Sequence, residues 1–151
     1  MRKLHKPAAL LLALVVALGL TVTALAAEET GYTDVAGTWA EEYVNRVSDL
    51  IDGRTETAFA PNENITPAEL VTALYRLAGS PELPAGGRNP FADVAEDAPC
   101  RDAVIWASGK GIVSGRSADT FDPDGSAARQ EIAKILNLYA AQAVGRETLT
   151  N

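Results

Sequence analysis

The chain has 151 residues, 47% of them apolar, with 20 acidic against 13 basic side chains and a formal charge of −7. That length admits one domain or two very small ones, and the acidic balance excludes the basic stripe that displaces counterions from nucleic-acid phosphates. With Cys100 the single cysteine, an internal disulfide is excluded as well.

The first segment is a targeting signal. Met1-Arg2-Lys3-Leu4-His5-Lys6 is a short basic start, an aliphatic run follows to Leu20, and Ala24-x-Ala26 closes it with small residues. Basic, apolar, then small-x-small is the order of a secretory signal peptide, here residues 1–26. The alternative is a retained membrane anchor. Residues 8–27 are only just long enough for a span, and acidic Glu28-Glu29, not a basic stop-transfer cluster, comes next. Cleavage removes Arg2, Lys3 and Lys6 and no acid, leaving ten basic residues against 20 acidic ones. An anionic ligand must then be met by a local positive feature, because the overall field opposes it. His5 leaves with the signal, so the mature chain lacks histidine, the commonest general base.

The rest of the chain is written twice. Tyr32-Thr33-Asp34-Val35-Ala36 matches Phe91-Ala92-Asp93-Val94-Ala95 at an offset of 59 residues, while Phe59-x-Pro61 matches Phe121-x-Pro123 at 62. Glu69-Leu70 matches Glu131-Ile132, and Gly53 falls on Gly115, also at 62. Ordered self-similarity of this length is the signature of a repeat architecture. Copy one spans residues 32–79 and copy two 91–142, joined by the Pro/Gly-rich linker 80–90; residues 143–151 form a polar tail.

Each copy reads as helix, loop, helix. Trp39, Ala40, Tyr43, Val44, Val47, Leu50 and Ile51 recur at three- and four-residue steps, predicting a first helix with one apolar face, N-capped by Asp34 or Thr38. Thr66 and Glu69 have capping-box spacing with Pro67 at the first helical position, predicting a second helix that ends near Gly79. In copy two, helices are predicted near residues 100–110 and 128–143. The last is capped more weakly, because Ala128 replaces Thr66; Ser126 is the substitute cap. Cys100 is expected as a small core residue, with an intermolecular disulfide as the alternative.

These residues resemble the S-layer homology repeat of bacterial cell-surface proteins. The resemblance rests on Tyr32-x-Asp34-Val35, Phe91-x-Asp93-Val94, Gly111-Ile112-Val113-Ser114-Gly115 and the two Phe-x-Pro motifs. The family's helix-opening signature Ile-Thr-Arg-Ala-Glu stands here as Ile65-Thr66-Pro67-Ala68-Glu69 and Ala127-Ala128-Arg129-Gln130-Glu131. It implies an all-α fold, two helix-loop-helix repeats packed as an incomplete pseudo-threefold bundle. It also implies non-covalent attachment to the wall by binding an anionic, pyruvylated secondary cell-wall polysaccharide.

The chemistry agrees with that implication. A helix N-terminus presents free N–H groups and partial positive charge, and an arginine inside it adds a fork for a carboxylate. Arg129 holds that place in copy two; Pro67, which cannot donate, holds it in copy one. The candidate glycan-binding residues are Arg129, Glu131, Thr66, Glu69, Trp39, Gly53 and Gly115. Each has a plainer reading. Arg129 is equally a solvated helix residue. Thr66 and Glu69 are explained by capping, as is Glu131 by a bond back to the backbone. Trp39 and Trp106 fit core positions, Gly53 and Gly115 fit backbone requirements, and Asp34 and Asp93 fit caps or turns.

Nothing else points to catalysis or a cofactor. Asp122-Pro123-Asp124-Gly125 lacks the regular oxygen ligands of a calcium loop, and neither a phosphate-binding Gly-rich loop nor a nucleophile elbow occurs. No enzyme, cofactor or metal is expected. The rival to glycan binding is a structural module that assembles with itself or with another S-layer homology protein, because two repeats leave an apolar flank.

Overall fold

The computed structural model describes residues 31–83, 85–143 and 145. The signal-peptide reading of residues 1–26 and most of the tail lie outside these. Among the described residues there are helices and turns but no strand: α1 Glu41–Arg46, α2 Pro67–Leu77, α3 Arg101–Gly109 and α4 Arg129–Gln142. The all-α expectation holds, and no described helix is long and apolar enough to cross a membrane.

Local sequence sets the ends of α2 and α3. The Thr66 hydroxyl accepts from Glu69 N–H at 3.1 Å, while the Glu69 carboxylate accepts from Thr66 N–H at 2.8 Å. Two of the orphan donors of the first turn are thereby satisfied reciprocally. At the other end Gly79 turns left-handed at φ +85°, with Gly79 N–H donating to Arg76 and Ser80 N–H to Tyr75. Gly111 closes α3 in the same way, at φ +69°, with bonds from Gly111 to Ser108 and Ile112 to Ala107. Both are Schellman stops, which a residue lacking Cβ makes without steric cost.

The main core crosses the copy boundary. Leu70, Val71 and Leu74 of α2 pack with Ala103, Val104, Trp106 and Ala107 of α3, and with Phe91, Val94, Ile112, Val113 and Phe121 of copy two. Trp106 joins three helices, its ring 5.5 Å from Tyr75 of α2 and 6.3 Å from Tyr139 of α4. Tilted and edge-on pairs at these distances add to plain area burial. Copy one's opening forms a separate small cluster of Val35, Ala40 and Val44 with Tyr32 and Phe59.

Three local expectations are corrected. The first helix stops at Arg46 instead of reaching Ile51, and residues 47–50 are turns. Ser48 turns its hydroxyl onto the Asn45 carbonyl, one of the local bonds that compete with a helix. Trp39 and Tyr43 do not face a core: they are 84% and 61% exposed, because no helix among the described residues covers that side of α1. Finally, neither Asp34 nor Ser126 is a helix cap. Asp34 reaches the backbone of residues 59 and 60, and the Ser126 hydroxyl accepts from Asn64 at 3.3 Å.

Candidate functional site

The loop of each copy is built on one plan. Asp34 accepts Phe59 N–H and Ala60 N–H at 2.9 and 2.7 Å; Asp93 accepts Phe121 N–H and Asp122 N–H at 2.8 and 2.7 Å. Tyr32 lies 5.7 Å from Phe59, and Phe91 lies 5.3 Å from Phe121, ring to ring. Ala60 and Asp122, the middle residues of the Phe-x-Pro motifs, share a left-handed φ of 61° and 62°. These carboxylates staple the start of each copy to its Phe-x-Pro. The bonds from Phe59 and then Ala60 hold the Asp34 carboxyl below its ordinary range. At Asp93 desolvation pushes upward, but the bonds from Phe121 and Asp122 outweigh it.

The two central glycines are required by close approach. A Cβ on Gly53 would fall on the Tyr32 ring and 2.7 Å from the Ala58 carbonyl oxygen. On Gly115 it would fall on the Phe91 ring and 2.6 Å from the Thr120 carbonyl oxygen, at a φ of +71°. After each glycine comes an arginine that ties the loop to the following helix. Arg54 lies 3.1 Å from Glu69 and donates to the Asn64 carbonyl at 2.7 Å. Arg116 lies 3.1 Å from Glu131 and 2.6 Å from Asp122, and donates to the Ser126 carbonyl at 3.0 Å. Reading the sequence missed this pair. Its signal was there: Gly53-Arg54 and Gly115-Arg116 share the offset of 62.

Between loop and helix each copy carries a groove. In copy two it is lined by Ile112, Val113, Gly115, Arg116, Glu131 and Lys134, and closed by Pro67 from copy one. In copy one the equivalent Leu50, Ile51, Gly53, Glu69 and Thr72 line it, and Pro99 and Cys100 of copy two close it. The copies also meet through backbone bonds from Ala68 N–H to Pro123 and from Ala127 N–H to Ile65. Burial pushes the Cys100 thiol up, which keeps it in the unreactive protonated form.

The sequence-derived candidates fall into four groups. Gly115 and Glu131 meet in one groove, Gly53 and Glu69 in the other. Both carboxylates are already occupied by an arginine and by the backbone at the helix start, Glu131 accepting from Ala128 N–H at 2.7 Å. Ala128 has no side-chain acceptor, so copy two has only this half of the capping box. Thr66 caps α2 and lines a polar crevice between the copies, beside Arg54 and Ser126. Arg129 is exposed at the first position of α4. It has no ion pair among the described residues and does not line the groove of its own copy. Its counterpart Pro67 lines the groove of the following copy. Trp39 stands apart, 6.3 Å from Tyr43. Lys134 is the groove residue that the sequence reading did not single out. It too has no ion pair among the described residues, and it replaces Thr72 of copy one.

Comparison with known proteins agrees with this doubled geometry. The family model of the S-layer homology domain matches residues 31–71 and 90–133. A cell surface glycoprotein 1 of Acetivibrio thermocellus is 28% identical over 124 residues, covering 82% of this chain and 5% of that protein. A surface-layer 125 kDa protein of Lysinibacillus sphaericus is 34% identical over 126 residues, 82% of this chain and 10% of that one. An amylopullulanase of Thermoanaerobacterium thermosulfurigenes is 24% identical over 129 residues, which cover 80% of this chain and 7% of that enzyme. The chain thus spans a tenth or less of these relatives' lengths. With two matched segments that share one loop geometry, the chain belongs to the S-layer homology domain family, non-catalytic anchoring modules, and is a secreted protein of the bacterial cell surface.

Proposed function

We propose that the chain attaches to the wall without a covalent bond, by holding an anionic, pyruvylated secondary cell-wall polysaccharide in the groove of its second copy. In this reading residues 1–26 are removed on export, residues 32–79 and 91–142 are the working repeats, and the linker 80–90 sets their spacing. The observation that carries the reading is Lys134. It is a cation without an ion-pair partner among the described residues, facing the same groove as the Gly115 loop, in a chain whose acidic residues outnumber its basic ones. The Arg116 guanidinium is taken up by Asp122 and Glu131, so Lys134 is the groove charge left for an anion. Arg129 and the open N–H groups of the first turn of α4 supply a second positive feature close by.

The remaining candidates have framing roles. Glu131 and Glu69 lock the Gly-Arg loops to the helix starts, Gly115 and Gly53 let the loops close, and Thr66 fixes the opening of α2. Titration of purified polysaccharide into the exported chain tests the assignment. A charge-assisted contact is worth about 1.5–3 kcal/mol, or roughly tenfold or more in affinity. Lys134→Ala and Arg129→Ala are each expected to weaken binding by about that factor, and Thr72→Ala to leave it unchanged. Wild-type affinity in Lys134→Ala would remove the groove from the assignment.

A second reading is favoured by the 84% exposure of Trp39: assembly with another copy or with another S-layer homology protein.

A further inference from the structure

The interface between α2 and α3 is a template whose two halves recur, uncovered, at the ends of the molecule. On the α2 side, Val71 and Leu74 are 0% and 6% exposed beneath α3. Their counterparts 62 residues on are Ala133, which is exposed, and Leu136, which is 46% exposed; α4 has no fully buried residue. On the α3 side, Ala103 is 2% exposed. The N-caps Ala40 and Cys100 set the offset of α1 and α3 at 60 residues, so the counterpart of Ala103 is Tyr43, which is 61% exposed with Trp39 packed on its ring. Two of the three buried residues of α2, Val71 and Leu74, therefore have uncovered counterparts on α4, while the third, Leu70, matches Ile132, which packs on the core. On the α3 side, buried Ala103 has an uncovered, aromatic counterpart in Tyr43 of α1.

We infer that the outer face of α4 docks on the outer face of α1 of a second copy, repeating the internal α2–α3 contact from one molecule to the next. The inference names the partner and surfaces of the assembly reading above and does not depend on glycan binding. The occupant follows from continuity: the surface best matched to the α4 face is the one that continues the same packing, and this chain presents it on α1. The backbone supports the same register. Ala68 N–H, in the first turn of α2, donates to Pro123; the corresponding donor of α4 is Gln130 N–H, and the corresponding acceptor is the Pro61 carbonyl of the next copy. Because the two surfaces differ, the contact is head-to-tail and not self-complementary.

Sedimentation velocity of the exported chain, from micromolar to sub-millimolar protein, tests this. The wild type is expected to at least double its mass as concentration rises. Leu136→Asp and Ala133→Asp remove the α4 face, while Tyr43→Asp and Trp39→Asp remove the α1 face. All four positions are exposed, so the substitutions are expected to leave the fold intact, which circular dichroism checks. Each variant alone is expected to stay monomeric. An equimolar mixture of Ala133→Asp and Tyr43→Asp is expected to form a heterodimer and stop there, because each supplies the face the other lacks. A monomeric wild type overturns the inference, as does a variant that assembles alone or a mixture that fails to pair. Wall retention by a monomeric wild type would leave the polysaccharide reading standing.

Discussion

Asp34 and Asp93 each satisfy two backbone donors in the turn that carries the Phe-x-Pro motif, and in both the folded carboxyl titrates below the ordinary 3.8. A carboxylate whose folded pKa is depressed contributes stability that is complete above the unfolded value and is lost as pH falls through the folded one. Thermal melts from neutral pH downward should therefore show stability decreasing below about pH 4. Asp93→Asn should melt lower at neutral pH and show a shallower acid decline; an unchanged acid limb would mean that the staple contributes nothing. Gly115→Ala probes the same loop, since the new Cβ would meet backbone oxygen and the Phe91 ring at a left-handed φ. Strain at such a position costs about 1–3 kcal/mol, read as a fall in Tm, and a neutral effect would show that the loop relaxes freely.

At the level of elements, the second helices differ by one hydroxyl. Thr66 accepts from Glu69 N–H, whereas Ala128 leaves the equivalent Glu131 N–H without that bond. Ala128 already has the extended backbone of a cap, φ −70° and ψ 148°, so Ala128→Thr should stabilise the chain by about 0.5–2 kcal/mol in denaturant melts. A second comparison tests the shared packing plan. Leu74→Ala should cost about 2–5 kcal/mol, as for a buried leucine, while Leu136→Ala in the uncovered equivalent should cost well under half of that. Equal costs would deny that α3 covers only the first. What the sequence made legible follows the same division. The cap and stop of α2 were readable because Thr66, Pro67, Glu69 and Gly79 act on backbone within a few residues. The length of α1 was not, because a periodic apolar face shows what a helix can bury and says nothing of whether a partner covers it. Asp34 and Asp93 looked like local caps for a related reason: their partners lie 25 to 29 residues away, a distance that leaves no spacing signal. Lys134 stayed hidden because the repeat was aligned on matching residues, and it is a mismatch with Thr72.

Over the whole molecule, the copies are neither independent beads nor a fused globule. Copy one lends α2 to the core of copy two and Pro67 to its groove, so the groove with Lys134 takes part of its wall from copy one. Charge is distributed to match. In the proposed reading, the acidic balance repels anionic polymer in general and attraction rests on Lys134, Arg129 and the opening of α4, so recognition is expected to be local and sensitive to salt. Retention on cell walls is the most direct measurement. Purified walls, intact or stripped of their secondary polysaccharide, are incubated with the exported chain and sedimented, and the bound fraction is read at low and high salt. Wall attachment through an anionic polymer predicts retention on intact walls that weakens with salt, falls in Lys134→Ala and Arg129→Ala, and disappears on stripped walls. Undiminished retention on stripped walls, or none on intact ones, would contradict it.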